Sequence, residues 1–357
     1  MMRIRTSGTA FERGLAQGQA ARELASRWIQ ANLAEMRSAL DVAGLGEAAH
    51  ALEHDVGTVR RSIERALPAV HEECRGIARG LDLGELDYFT VLLWPYLSAR
   101  WADGRPEGGA SRSCTSVGVR GTRGEPLLGK TDDLPPGLIG LNVLELCAPA
   151  GGYRHAHLHL AASPWTVSGM NERGLAIAMT GLPGPYRPEA GVPSLFALRP
   201  LLERCSTARE CERLVREIPL GALGFSLAVA DVDEMLLLER TGADTAIVSP
   251  REGVLIHTNT ILDPELERRS PPQREPLRTN AVGRYEAASE LAAAMERSGA
   301  GMAALLSSRP AQGPIFQLGE GGLHTDFAVV LEPRELRMSV WASRGGEPEH
   351  LVRMEEL

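Results

Sequence analysis

The chain has 357 residues, 43% of them hydrophobic and 24% charged, with a formal net charge of -8. That is ordinary globular usage in a chain long enough to bury a sizeable core, whether as one large domain or two smaller ones, and it excludes a disordered polymer. The acidic balance offers no surface for nucleic acid or an anionic membrane, and no run approaches the roughly 20 consecutive apolar residues that span a bilayer.

The opening residues, Met-Met-Arg-Ile-Arg-Thr-Ser-Gly, lack the apolar core of a secretion signal, so a cytoplasmic location is expected. Over residues 12–40, apolar side chains recur at three-four spacing (Leu15, Ala21, Leu24, Trp28, Ile29, Leu33, Met36, Leu40), which predicts amphipathic helix. Helical patterns follow over 46–66 and 68–79, break at the glycines of 80–84 and resume over 85–97, so the first hundred residues read as helix. Residues 102–111, rich in glycine and charge, read as an exposed, mobile linker.

The texture changes at Cys114. Strands are predicted at 114–120, 126–131, 140–147, 153–161, 165–170 and 174–180, separated by turns such as Asn171-Glu172-Arg173-Gly174. Two amphipathic helices at 194–206 and 207–217 interrupt them. Strands resume at 224–231, 234–240, 244–248 and 253–258; a polar loop (264–278) precedes a helix at 279–298, and strands at 324–331 and 336–342 close the pattern. This order suggests α+β layers rather than alternating parallel units.

The five cysteines (Cys74, Cys114, Cys147, Cys205, Cys211) form no paired framework and no Cys-x-x-Cys, so a disulfide scaffold is not expected. Most suit buried, small apolar positions. Cys114 differs, because serine and threonine flank it at the opening of a strand. It can be read as a small strand residue or as a nucleophile. A free thiol has a pKa of about 8.5 and needs a base. Cleavage of the Ser113–Cys114 bond would supply one, since the released α-amine titrates at about 7.7–8.0, within reach of its own sulfur. The thiol can perform that cleavage by attacking the Ser113 carbonyl, giving a thioester that water opens.

Asp132 and Asp133 close the second strand of the hairpin. Strand side chains alternate faces, so only one of the two can point at Cys114, where a carboxylate would hold the amine and thiol. The pair is also ordinary strand-exit chemistry. Asn259 ends an apolar strand and suits an oxyanion donor, a role worth roughly 10²–10³-fold in rate, or equally a turn. His155, His157 and His159 place three imidazoles on one strand face, the pattern of a metal-dependent hydrolase or of surface and rim histidines; no His-Glu-x-x-His accompanies them. A third reading is an unprocessed, non-catalytic binding protein with Cys114 left blocked.

Five segments carry a family resemblance: Glu73-Cys74-Arg75-Gly76-Ile77-Ala78-Arg79-Gly80-Leu81, Cys114-Thr115-Ser116, Gly129-Lys130-Thr131-Asp132-Asp133-Leu134, Gly169-Met170-Asn171-Glu172-Arg173-Gly174-Leu175 and His257-Thr258-Asn259, with the Ser113–Cys114 junction between the first two. In order and spacing they resemble the acyl-coenzyme A:6-aminopenicillanic acid acyltransferase-like proteins, self-cleaving members of the N-terminal nucleophile hydrolase superfamily. Ser113 replaces a frequent glycine, Thr131 an asparagine and Leu134 an aromatic. The resemblance implies a four-layer αββα fold in which residues 1–113 form a helical propeptide that stays bound after cleavage. Residues 114–357 would form the catalytic segment, the two together making one structural domain. It implies amide hydrolysis or acyl transfer through a Cys114 thioester, with no cofactor and no metal. Its partners would be a small-molecule amide or acyl donor and an amine acceptor. It places the catalytic carboxylate at Asp133 rather than Asp132, and oxyanion donors at Asn259 and the backbone amide of Leu134. A family arginine near the C-terminus has Arg334, Arg337 and Arg344 as candidates.

Overall fold

The computed structural model describes residues 1–43, 45–98, 113–251, 253–273, 275, 277–311, 313–319, 322–342 and 344–357. The predicted linker at 102–111 lies outside the described residues. The strands in chain order are β1 (Met2–Gly8), β2 (Ser113–Arg120), β3 (Pro126–Leu134), β4 (Asn142–Pro149), β5 (His155–Leu160), β6 (Ser168–Asn171), β7 (Ala176–Tyr186), β8 (Val192–Pro193), β9 (Leu220–Ala230), β10 (Met235–Thr241), β11 (Asp244–Val248), β12 (Leu255–His257), β13 (His324–Glu332), β14 (Arg337–Trp341) and β15 (His350–Arg353). The helices are α1 (Ala10–Ala20), α2 (Arg22–Ala43), α3 (Leu45–Ala66), α4 (Pro68–Leu81), α5 (Glu85–Leu97), α6 (Arg199–Arg204), α7 (Ala208–Glu217), α8 (Pro264–Arg269), α9 (Leu277–Ala294) and α10 (Gly299–Leu306).

Two sheets form. The larger runs β1-β4-β5-β6-β7-β9-β10-β11, with β8 beside β9; the smaller runs β12-β2-β3-β13-β14-β15. Alternation along each strand decides what its faces cover. In the β2–β3 hairpin the register pairs Ser113 with Asp133, Cys114 with Asp132, Val117 with Gly129 and Val119 with Leu127. The odd-numbered positions turn outward: Val117, Val119 and Leu127 pack with Ala287 and Ala288 of α9 and Met302, Leu305 and Leu306 of α10. Gly129 leaves the room Met302 needs, because a Cβ there would stand 2.5 Å from its sulfur. The even-numbered positions turn inward toward the large sheet, where Leu128 joins the main core.

The large sheet has the same two-sidedness. Its inner face meets the small sheet through β7 and β9, and its outer face is covered by α1, α6 and α7, among others. Trp28 of α2 donates to the Ala161 carbonyl and Tyr88 of α5 to that of Ala162, each at 2.9 Å, tying the N-terminal helices to that side. The chain is therefore α+β in four layers, helices–sheet–sheet–helices. Among the described residues, no helix is long and apolar enough to cross a membrane.

The N-terminal segment is not wholly helical, contrary to the sequence reading. Residues 2–8 form β1, with Ile4 and Thr6 buried and Arg3 and Arg5 exposed, running parallel to β4. The period-two pattern is short and its partner lies over a hundred residues away, so local periodicity hid it. The predicted helix over 12–40 is two, α1 and α2, with Thr9 and Glu12 forming a capping box at the start. β8, β15, α8 and α10 were not anticipated.

Candidate active site

The thiol, its neighbours and the bond before it are organised by the β2–β3 register. Cys114 stands directly across from Asp132, so both side chains project to the inner face. The thiol donates to Asp132 Oδ1 at 3.4 Å. Lys130, two positions earlier on β3, shares that face; its Nζ lies 2.7 Å from the same oxygen and 3.6 Å from Cys114 Sγ. The other Asp132 oxygen accepts from Asn142 Nδ2 at 3.3 Å. Asn142, on β4 of the facing sheet, also donates to Asp326 Oδ2 at 2.8 Å, and Asp326 Oδ1 takes the Gly140 N–H at 2.6 Å. Asp326 occupies the register shift in β13 between Thr325 and Phe327, which frees it from strict alternation.

The opposite face of the hairpin carries a second set. Asp133, across from Ser113, accepts from Thr325 Oγ1 at 2.6 Å and Gln317 Nε2 at 2.8 Å. Arg284, buried on α9, reaches the start of β2: it donates to the Cys114 carbonyl and the Ser113 hydroxyl, to Thr115 Oγ1 at 2.9 Å and to Asn259 Oδ1 at 2.9 Å. Asn280, one turn earlier, accepts from Arg284 Nε at 2.9 Å and donates to Gln317 at 3.2 Å.

Asn259 follows β12, the edge neighbour of β2. Its Oδ1 accepts the Cys114 N–H at 2.9 Å, and its NH₂ donates to the Gly181 carbonyl at 3.0 Å. A guanidinium only donates and a carbonyl only accepts, so these partners fix which way the amide points. His257 holds this loop without touching the thiol. Its Nε2 meets Glu239 Oε1 at 2.7 Å, and the Glu239 carboxylate also takes the Leu262 and Asp263 N–H groups beyond Asn259.

Electrostatically the site is governed by burial. Cys114 is 3% exposed, and burial pushes its thiol up to about 12, with Lys130 pulling the other way and Asp132 adding to the rise. Burial works against the Lys130 ammonium, but Asp132 and the Cys114 sulfur hold it above the ordinary lysine value. Burial also lifts Asp133 to about 6, against Arg284, Thr325 and Gln317. Arg284 is lowered by burial, which Asp133 and Cys114 partly offset.

Of the expected residues, the fold brings Cys114, Asn259 and the Ser113–Cys114 bond together. Asp133 is not beside the thiol: one residue along a strand reverses the face, and the carboxylate touching sulfur is Asp132. Leu134 ends β3 on the inner face, with His324 as its register partner. Arg334, Arg337 and Arg344 all lie elsewhere, on the Val232 carbonyl, Glu332 and the Ser307 carbonyl. The arginine at the site is Arg284, which carried no local signal in a helix of mixed residues. Lys130 did carry one, since it shares parity with Asp132.

His155, His157 and His159 are fully buried rather than at a rim, on the outer face of the large sheet beneath α1, α4 and α6. Glu145 of β4 lies 3.0 Å from Nε2 of both His157 and His159, three donor atoms within 4.8 Å. Arg199 Nη1 already lies 2.9 Å from His157 Nε2, and its Nη2 pairs with Glu73 at 2.9 Å. A guanidinium against a ligand nitrogen makes this an ion-pair network rather than an open coordination shell. Burial, then Arg199, depresses His157 and takes His155 to about 4, keeping both neutral.

No curated protein sequence matches the chain. Similar solved structures include an N-acylethanolamine-hydrolyzing acid amidase ortholog from Caenorhabditis elegans (TM-score 0.47, 16% identity, covering 64% of this chain and 100% of that one). Two variants of conjugated bile acid hydrolase from Clostridium perfringens are also similar, one with TM-score 0.44 and 12% identity, the other with 0.43 and 10%, each covering 68% of this chain and 93% of that one. The acyl-coenzyme A:6-aminopenicillanic acid acyl-transferase family matches residues 119–340, which include β3 with its paired aspartates, Asn259 and Arg284. The chain belongs to that family.

Proposed function

We propose that the chain is a self-processing enzyme that cleaves its own Ser113–Cys114 bond and then hydrolyses or transfers an acyl group through a Cys114 thioester. The observation that carries this reading is the Cys114 N–H on Asn259 Oδ1 at 2.9 Å, with Arg284 beside it on the Cys114 carbonyl. That nitrogen becomes the α-amine on cleavage, and its acceptor is already in place. Asp133 stands across from Ser113 in the register. Once Ser113 has left that face, Asp133 becomes a carboxylate that can turn from Thr325 and Gln317 to hold the new ammonium.

In the working cycle the α-amine takes the thiol proton as sulfur attacks the carbonyl carbon of an amide or acyl thioester. The amine returns the proton to the leaving group, and water or an acceptor amine takes the acyl group from sulfur. Asn259 serves as an oxyanion donor once its NH₂ leaves the Gly181 carbonyl, with the Leu134 N–H as second donor. Residues 1–113 remain as a bound partner of residues 114–357.

Intact mass over time tests the first half: pieces 1–113 and 114–357 should accumulate, and Cys114→Ala should stay whole. The processed protein is then assayed on acyl-amides and acyl thioesters, with and without amine acceptors, and acid-quenched to trap an acyl group on the 114–357 piece. A chain that turns over substrate with its 113–114 bond intact would overturn the reading.

A further inference from the structure

The amine base that serves the mature enzyme does not exist before the first cleavage, so the first step needs a different proton acceptor. We propose that Asp132 is the general base of self-cleavage and that Lys130 holds it against the thiol. This rests on the self-processing reading above.

Asp132 Oδ1 is the carboxylate oxygen to which the Cys114 thiol donates, at 3.4 Å, and the cross-strand register places the two residues directly opposite. Its orientation is fixed from two sides, by Lys130 at 2.7 Å on Oδ1 and by Asn142 at 3.3 Å on Oδ2. Asp133 cannot substitute, because it faces the helical layer with its oxygens on Thr325 and Gln317. A buried Lys–Asp pair is a poor choice for stability alone, since well-packed apolar residues serve as well or better. Its contact with the one sulfur poised on a strand start gives it a chemical purpose. The Lys130 ammonium, 3.6 Å from Sγ, also favours negative charge building on sulfur.

The step balances as follows. Asp132 takes the proton from Sγ as sulfur bonds to the Ser113 carbonyl carbon. The bond from that carbon to the Cys114 nitrogen then breaks, and Asp132 passes the proton to the departing nitrogen. The products are a Ser113 thioester on Cys114 and a free α-amine. Water opens the thioester, leaving a Ser113 carboxylate and the restored thiol.

The test follows the first-order cleavage rate of freshly purified whole chain by intact mass across pH, with a thermal melt of each variant. Asp132→Asn should slow cleavage by about 10²-fold or more and abolish the acidic limb of the pH profile. Asp132→Glu, which keeps a carboxylate, should stay within about tenfold of wild type, and Lys130→Met should fall between them. Should Asp132→Asn melt below the assay temperature, the Asp132→Glu rescue and the wild-type acidic limb still decide. Asp132→Asn cleaving within threefold of wild type would overturn this inference, as would an Asp132→Glu chain that folds and is as dead as Asp132→Asn. A wild-type chain that never cleaves would instead sink the self-processing reading itself, so the two failures are distinguishable.

Discussion

Arg284 concentrates more of the site's polar order than any other side chain, and its loss should be correspondingly severe. Arg284→Met would leave the buried Asn259 oxygen, the Ser113 hydroxyl and the Cys114 carbonyl without their charged donor. We expect a stability loss of about 3–5 kcal/mol, read from a denaturant melt, and at least about a hundredfold slower self-cleavage. Arg284→Lys restores charge but not the planar fork, so it should recover stability better than rate. Asp133 supplies a pH signature. Its carboxyl is raised to about 6 when folded and returns to about 3.9 when unfolded. Between those values the folded state binds more protons, so its contribution is fully present below about pH 4 and is lost as pH rises through about 6. In the non-cleaving Cys114→Ala background, Asp133→Asn should therefore remove up to about 3 kcal/mol of decline over that window. A pH dependence unchanged by Asp133→Asn would refute the assignment. Cys114, the paired aspartates and Asn259 were legible from three short motifs, but their facing was not, and Arg284 lay outside all three. A hairpin register shifted by one residue exchanges Asp132 for Asp133, and turn geometry rather than motif spelling sets that register.

At the scale of elements, α1 and α4 cross so closely that their contact is backbone on backbone. A Cβ on Gly14 would lie 2.1 Å from the Glu73 carbonyl oxygen, and one on Gly76 2.1 Å from that of Phe11. Gly18 and Gly80 repeat the arrangement one turn on, each with a carbonyl 2.5 Å from where a Cβ would be. Backbone cannot swing aside as a side chain can, so either Gly14→Ala or Gly76→Ala should cost about 3 kcal/mol despite alanine's better helix propensity. A thermal melt equal to wild type for both would contradict the crossing. The Gly76-Ile77-Ala78-Arg79-Gly80 run was visible in the sequence as a motif, while its reason, a second helix with glycines at the same spacing, was not. The same limit explains other differences. Helix α5 was read at its observed bounds because its pattern is dense and opens directly after Gly84. Helix α10 was missed because Gly-Ala-Gly-Met-Ala-Ala-Leu-Leu has few polar residues to reveal a period.

At the scale of the whole molecule, the order of elements suggested only α+β layers and the four-layer arrangement came with the family resemblance, while the placement of residues 1–113 depends on partners distant in sequence. Strand β1 lies along β4 from the Met2–Val143 pair to the Gly8–Pro149 pair, making the N-terminal piece one edge of the large sheet. Beneath α1 and α4, charges interlock across the 113–114 boundary. Arg13 pairs with Glu203 at 2.8 Å, Glu73 with Arg199 at 2.9 Å, and Gln17 donates to Glu145 at 3.0 Å. Breaking the 113–114 bond removes none of these contacts. Both pieces of processed enzyme should therefore elute as one species in size-exclusion chromatography. Adding about 1 M salt should not separate them, because buried pairs are screened far less than surface ones. They should part only with denaturant, in a melt that unfolds both together. Arg199→Met would take the guanidinium from buried Glu73 and Glu145, leaving Glu73 with Arg13 and Glu145 with neutral partners, so it should lower that melt by about 3 kcal/mol and bring dissociation to lower denaturant. Pieces that separate in native buffer, or an Arg199→Met enzyme as stable as wild type, would show that the interlock across the boundary does not hold the two together.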